Sequence, residues 1–182
     1  MQLTEKQLSR LKEVIEEFPE LKQLAWKLNQ SGISWGIAAG TATYIYIGGK
    51  ELDDVDVWIA SEDRVIASGI LEKEWETQVS ERHQAENIYL DNLDIFSDCR
   101  KTRGEETLLD YLWTKNVDEY LTEISIEGID YRVIAPEDIV VLKMANPRES
   151  DKEDILNLEK FGLDKDYLRN RLAECGVTVM TY

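Results

Sequence analysis

A chain of 182 residues with 43% hydrophobic content can bury one core, and this length suits a single domain spanning 1–182. Its 37 acidic against 21 basic residues leave a formal net charge of −16. That charge argues against a nonspecific binder of duplex DNA, yet it admits a metal-chelated nucleotide, because a bound cation reverses the local field.

Residues 3 to 30 place apolar side chains at Leu8, Leu11, Val14, Ile15 and Phe18, then at Leu21, Leu24, Ala25 and Leu28. This is helical spacing, interrupted at Pro19 and ended at Ser31-Gly32. ISWGIAA follows as a strand. The run TATYIYI (41–47) fits two descriptions. By propensity it is a strand that would form a hairpin with DVDVWI through Gly48-Gly49. The competing parse is a strand over 33–38, a tight turn at Gly40, a two-turn helix to Ile47 and a second strand over 54–60.

A helix is expected from Ser61 to Trp75, then short strands at 77–80, 87–90 and 93–96 and a helix near 106–115. YLTEISIEGIDYRVIA reads as a hairpin turning at Glu127-Gly128. The remainder reads as helical. PEDIVVLKMA opens on Pro136 and breaks at Asn146-Pro147, SDKEDILNLEKFG pairs Ser150 with Glu153 as a capping box and stops at Gly162, and a last helix runs from Asp164 to Glu174. The pattern predicts an α+β fold with an N-terminal helical segment (1–32), an α/β core (33–134) and C-terminal helices (135–182).

No run approaches the ~20 apolar residues of a membrane span. The opening MQLTEKQLSRLKEV has no apolar signal-peptide core, so a cytoplasmic protein that binds no membrane is expected. Cys99 and Cys175 fit neither a disulfide framework nor a metal motif and read as reduced thiols. The single histidine, His83, lies in the polar stretch SERHQAEN and reads as a surface residue.

DDVDV (53–57) crowds three aspartates into four positions. On a strand, Asp54, Asp56 and Trp58 share one side while Val55, Val57 and Ile59 face the core. The α-carbons of the two aspartates would lie roughly 6.6 Å apart, close enough for both carboxylates to serve one divalent cation. Without a counterion the pair is a solvated strand face. Asp53 reads as turn chemistry.

The ordered set AAGTATYIYIGGKELDDVDVWI resembles the signature of the nucleotidyltransferase superfamily, the DNA polymerase beta-like fold. That signature has an apolar strand, a glycine turn opening a short helix and, on the next strand, Asp-h-Asp, where h is apolar. Gly40 and Thr41 match the turn, and Asp54 and Asp56 match the carboxylate pair. The spacing resembles the minimal and AbiEii-like branches. A third family carboxylate matches Asp94 in NLDIF, with Asp91 as the alternative. VIAPEDIVVLKMANPRESDKEDILNL is similar to the helical segment that follows the catalytic sheet, carrying Lys143, Ala145, Arg148, Lys152 and Asp154. The sequence departs from the pattern at Ala39 (first glycine), Lys50 (an arginine) and Leu52 (Ser or Thr).

The resemblance implies a mixed β-sheet flanked by helices and a Mg²⁺- or Mn²⁺-dependent transfer of a nucleoside monophosphate from NTP to a hydroxyl acceptor. It implies that Asp54, Asp56 and Asp94 hold metal, and that Gly40, Thr41 and Lys143 hold nucleotide. Tyr44 and Tyr46 are candidates for base stacking or for the core. The same resemblance admits a noncatalytic binding protein, such as a toxin–antitoxin component, or a metal-dependent phosphohydrolase. The acceptor is a small molecule, a protein side chain or an RNA end. Arg100, Lys101 and Arg103 in SDCRKTRGEE form either a solvated loop or a docking place for an anionic acceptor.

Overall fold

The computed structural model describes residues 2–49, 51–103, 106–144 and 147–177. Lys50, Ala145 and the predicted break at Asn146 lie outside the described residues.

The first helical stretch is two helices, α1 (Glu5–Glu17) and α2 (Glu20–Gln30), separated at Phe18-Pro19 as the proline demands. Strand β1 (Trp35–Ile37) leads into α3 (Ala39–Ile47), so TATYIYI is helical. Its β-branched residues favour a strand, but burial of Thr41, Ala42, Thr43, Ile45 and Tyr46 outweighs that preference. The C-terminus of α3 is capped by Arg10, whose guanidinium donates to the carbonyls of Ile45 (3.2 Å) and Tyr46 (2.9 Å). Gly48 follows at φ 74°, where an added Cβ would meet that guanidinium at 2.8 Å.

Strand β2 (Val55–Ile59) is followed by a 3-10 turn over Ser61–Asp63 and α4 (Arg64–Leu71), shorter than the predicted helix because Glu72 turns left-handed at φ 55°. Strands β3 (Glu76–Val79), β4 (His83–Leu90) and β5 (Leu93–Arg103) follow, the last two well beyond their predicted spans. The helix expected near 106–115 is wrong. Glu106–Tyr111 is strand β6, and only Lys115–Tyr120 is helical (α5). The cause is tertiary: β5 outruns β2, its exposed edge takes β6 as an antiparallel partner, and pairing overrides local helix preference. The basic run 100–103 is therefore strand and not a solvated loop.

The predicted hairpin is β7 (Thr122–Ile126) and β8 (Ile129–Val133). Helices α6 (Pro136–Met144), α7 (Glu149–Glu159) and α8 (Lys165–Glu174) complete the chain. Helix α7 begins with Asp151 accepting from the Arg148 amide (2.9 Å), displacing the expected Ser150/Glu153 box.

One mixed sheet has the order β3-β4-β5-β2-β1-β8-β7, with β6 attached to β5. Strand β2 runs parallel to β5 and antiparallel to β1, and β1 runs parallel to β8. The fold is α+β, and α6 is buried from Pro136 to Leu142. A fully buried ion pair locks α8 to α6. Arg171 donates to Asp138 (2.7 Å) and to the Leu112 carbonyl (2.7 Å), and Tyr167 donates to the other Asp138 oxygen (2.6 Å). Among the described residues no helix is long and apolar enough to cross a membrane.

Candidate active site

Alternation along β2 sends Val55, Val57 and Ile59 into the core and leaves Asp56 and Trp58 on the other side. Trp58 stacks on Tyr111 (4.1 Å between centroids) and against Trp113. Asp56 stands at the end of this aromatic layer, in register with Asp94 on the neighbouring parallel strand. Asp54 immediately precedes β2 and is exposed. Burial, then the charge of Asp54 and also that of Asp94, push the Asp56 carboxyl up to about 7, against the pull of the Thr41 and Gly40 amides. Asp94 is raised by burial and by Asp54, opposed by a 2.6 Å hydrogen bond from Asn87. The charge of Asp54 thus reaches both Asp56 and Asp94, and that of Asp94 reaches Asp56. Asp91 sits in the β4–β5 turn at φ 50° and lines neither cavity described below.

Gly40 and Thr41 are beside Asp56, but their polar groups already have partners. The Gly40 and Thr41 amides donate to one Asp56 oxygen (2.8 and 3.2 Å), and the buried Thr41 hydroxyl accepts from the Asp56 amide (2.9 Å). A Cβ at Gly40 would lie 3.0 Å from that carboxylate, so glycine is needed here for the approach of Asp56. Ala39, at the first glycine position, adopts the left-handed φ of 40°. An alanine there is strained by roughly 1–2 kcal/mol.

Lys143, at the end of the buried α6, donates to Asp151 (3.1 Å) and Asp154 (3.0 Å), with 11% of its side chain exposed. It is neither a snorkelling surface lysine nor an uncompensated cation. Arg148 clamps Asp151 through two nitrogens (2.9 and 3.2 Å) and holds its carboxyl well below the ordinary range against the opposing effect of burial, with help from Lys143. Tyr46 is core, its hydroxyl donating to Ile134, whereas Tyr44 donates to Glu13 and faces a cavity.

Two cavities meet at Asp56. The larger, about 440 Å³, contains Asp94; the smaller, about 240 Å³, contains Asp54 and Tyr44. Gly40, Asp56, Lys143 and Arg148 line both. The larger is also lined by His83, Arg82, Lys101 and Asn87. Half-buried on β4, His83 is a cleft residue and not the surface residue expected. Lys101 belongs to the basic run noted in the sequence, whereas Arg100 in the same run is tied to Asp110. A bulge at Asp98 makes this division: two residues of β5 lie between Ser97 and Arg100, opposite one of β4. Asp98 takes φ 48°, accepts from the Ser61 hydroxyl and pairs with Arg64 (2.8 Å). The extra residue reverses the alternation, so Cys99 and Lys101 share the cavity with Asp94 and Phe96.

Among the described residues no set of three His, Cys, Asp or Glu side chains is placed to enclose a metal. The donor chemistry nonetheless fits a hard divalent cation. All three candidates are carboxylates, and one oxygen each of Asp56 and Asp94 makes no hydrogen bond among the described residues.

Neither a family model nor a curated protein matches the sequence. Solved structures match its fold. TM1012 of Thermotoga maritima, assigned as a nucleotidyltransferase, is 15% identical, with a TM-score of 0.51 over 87% of this chain and 94% of that one. ANT(2'')-Ia in complex with adenylyl-2''-tobramycin is 13% identical, with a TM-score of 0.52 over 87% and 96%. The solution structure of ANT(2'')-Ia, described as an antibiotic-resistance factor, gives 14% and 0.51 over 87% and 90%. With β2 and β5 carrying Asp56 and Asp94 in register and α3 set against them, the chain has the fold of the nucleotidyltransferase superfamily.

Proposed function

We propose that the protein transfers a nucleoside monophosphate from an NTP to a hydroxyl acceptor, with Mg²⁺ or Mn²⁺ held by Asp54, Asp56 and Asp94. The observation that carries this reading is the in-register pair Asp56 and Asp94, with Asp54 beside it, where two cavities meet. Each cavity offers one substrate its own approach to Asp56, which lines both.

When bound, the divalent cation would neutralise phosphate charge and acidify the acceptor hydroxyl. Asp94, with Asn87 fixing one oxygen, accepts the hydroxyl proton as the acceptor oxygen attacks the α-phosphorus; the bond to pyrophosphate breaks in line. Asp56 is held by the Gly40 and Thr41 amides, so its position is set before substrate arrives. Arg148 lies across both cavities and supplies positive charge to the phosphates, with Lys143 behind it. The amides at the start of α3 therefore hold the carboxylate that meets the substrate. The ANT(2'')-Ia complex, which contains an adenylylated small molecule, supports a small-molecule acceptor for this chain too.

The test is product analysis with α-labelled and γ-labelled NTPs and a panel of acceptors, in the presence of Mg²⁺ or Mn²⁺. Label from the α-phosphate on an acceptor, with pyrophosphate released, is expected. Release of nucleotide and phosphate without an acceptor product would make the protein a phosphohydrolase. Absence of nucleotide binding with metal present would make it a noncatalytic member.

A further inference from the structure

The larger cavity has a cationic wall that the proposed reaction does not use. His83 and Lys101 are direct cross-strand partners on β4 and β5, with Arg82 adjacent and Arg148 facing them. Burial, then the charges of Lys101 and Arg148, lower the His83 imidazole from its ordinary value and favour its neutral form beside the lysine. Lys101 is half-buried, and among the described residues neither it nor Arg82 has an ion-pair partner. In a chain of net charge −16, carboxylates are abundant, so a half-buried lysine left without one and facing a histidine is a cost that a ligand anion would remove.

The placement is built by the backbone. Without the extra residue at Asp98, Lys101 would follow the alternation of Asp94 and Phe96 and point away from them. With Asp98 anchored by Ser61 and Arg64, it enters their cavity.

We propose that Arg82, His83 and Lys101 form a subsite for an anionic group, a phosphate or carboxylate, carried by the acceptor. The inference rests on the transfer reaction proposed above and specifies its acceptor class. Two observations assign the anion to the acceptor. The cationic wall shares its cavity with Asp94, the group that takes the hydroxyl proton, and lies apart from Asp54 and Tyr44 in the smaller cavity. A 440 Å³ space also accommodates a small molecule.

The test uses full-length ¹⁵N-labelled protein saturated with Mg²⁺ and α,β-methylene-ATP, titrated with inorganic phosphate, with ethylenediamine and with neutral glycerol. Phosphate should shift amides of β4 and β5 around His83 and Lys101, and the other two probes should not. Lys101→Gln and Arg82→Gln should each weaken phosphate binding about tenfold, the loss expected for one charge-assisted contact. Both variants should melt no lower than the parent, since among the described residues neither side chain has an ion-pair partner to lose. Unchanged phosphate affinity in both variants would overturn the subsite. Phosphate shifts of these amides in protein without the analogue that are lost in the saturated protein would assign the cations to the nucleotide's polyphosphate and overturn the acceptor assignment. Phosphate binding with no nucleotide binding at all would refute the transfer reaction while keeping an anion site on this wall.

Discussion

Replacing Asp56 by Asn tests whether the three carboxylates form a site that lacks its counterion. The carboxamide oxygen can still accept from the Gly40 and Thr41 amides, so the substitution removes charge and keeps the local geometry. A carboxyl raised from an ordinary 3.8 to about 7 corresponds to a destabilisation of the charged folded state by at most roughly 4 kcal/mol, at 1.36 kcal/mol per pH unit. Water in the open cavity screens part of this, and a gain of about 1–2 kcal/mol is expected for the variant at pH 8. For a chain of this size that is roughly 3–6 °C in Tm. The sign follows from linkage. Between about pH 4 and pH 7 the folded Asp56 keeps a proton that the unfolded chain has released, so parent stability falls as pH rises through this window. Thermal melts of both proteins in EDTA from pH 4 to 8 should therefore coincide near pH 4 and separate above it. Mg²⁺ or Mn²⁺ should then restore stability to the parent more than to the variant. A variant less stable than the parent at pH 8, or a gap independent of pH, would refute the reasoning.

Three further outcomes are expected. Arg171→Met leaves Asp138 buried beside Tyr167 without its cation and should cost about 3–5 kcal/mol in urea unfolding; a loss below about 1 kcal/mol would show that α8 is not held by this pair. Ala39→Gly relieves the left-handed alanine and should raise stability by up to about 1 kcal/mol, after the backbone entropy of the new glycine is subtracted; a lower Tm would place the strain elsewhere. NTP binding measured by calorimetry should require Mg²⁺ or Mn²⁺ and weaken in Asp54→Asn, and a labelled duplex of about twenty base pairs should not bind at low salt; metal-independent NTP binding, or tight duplex binding that falls steeply with salt, would contradict the site and the charge argument in turn.

The linear chain determined the features that depend on neighbours in sequence. The DDVDV run, Gly40 and the apolar spacing around them pointed to paired strands with a carboxylate between, and Asp56 and Asp94 do lie side by side. Pro19, Pro136, Gly162 and the Glu127-Gly128 turn punctuate the chain where their backbone preferences require. Local propensity could not choose between helix and strand for TATYIYI, because burial on nearly every side decided it. Nor could it show that 106–111 would pair with the overhanging edge of β5. The partners of charged groups were tertiary as well. Lys143 belongs to Asp151 and Asp154, the Thr41 hydroxyl serves Asp56, and Arg171 is buried against Asp138, each through contacts between separate elements. Lys101 is the sharpest case. Its sequence neighbours Arg100 and Arg103 suggested a basic loop, yet one left-handed residue at Asp98, held by Ser61 and Arg64, turned Lys101, with Cys99, into the cavity with Asp94. Side-chain direction on a strand follows from counting residues in pairs, and a bulge fixed by distant groups changes the count.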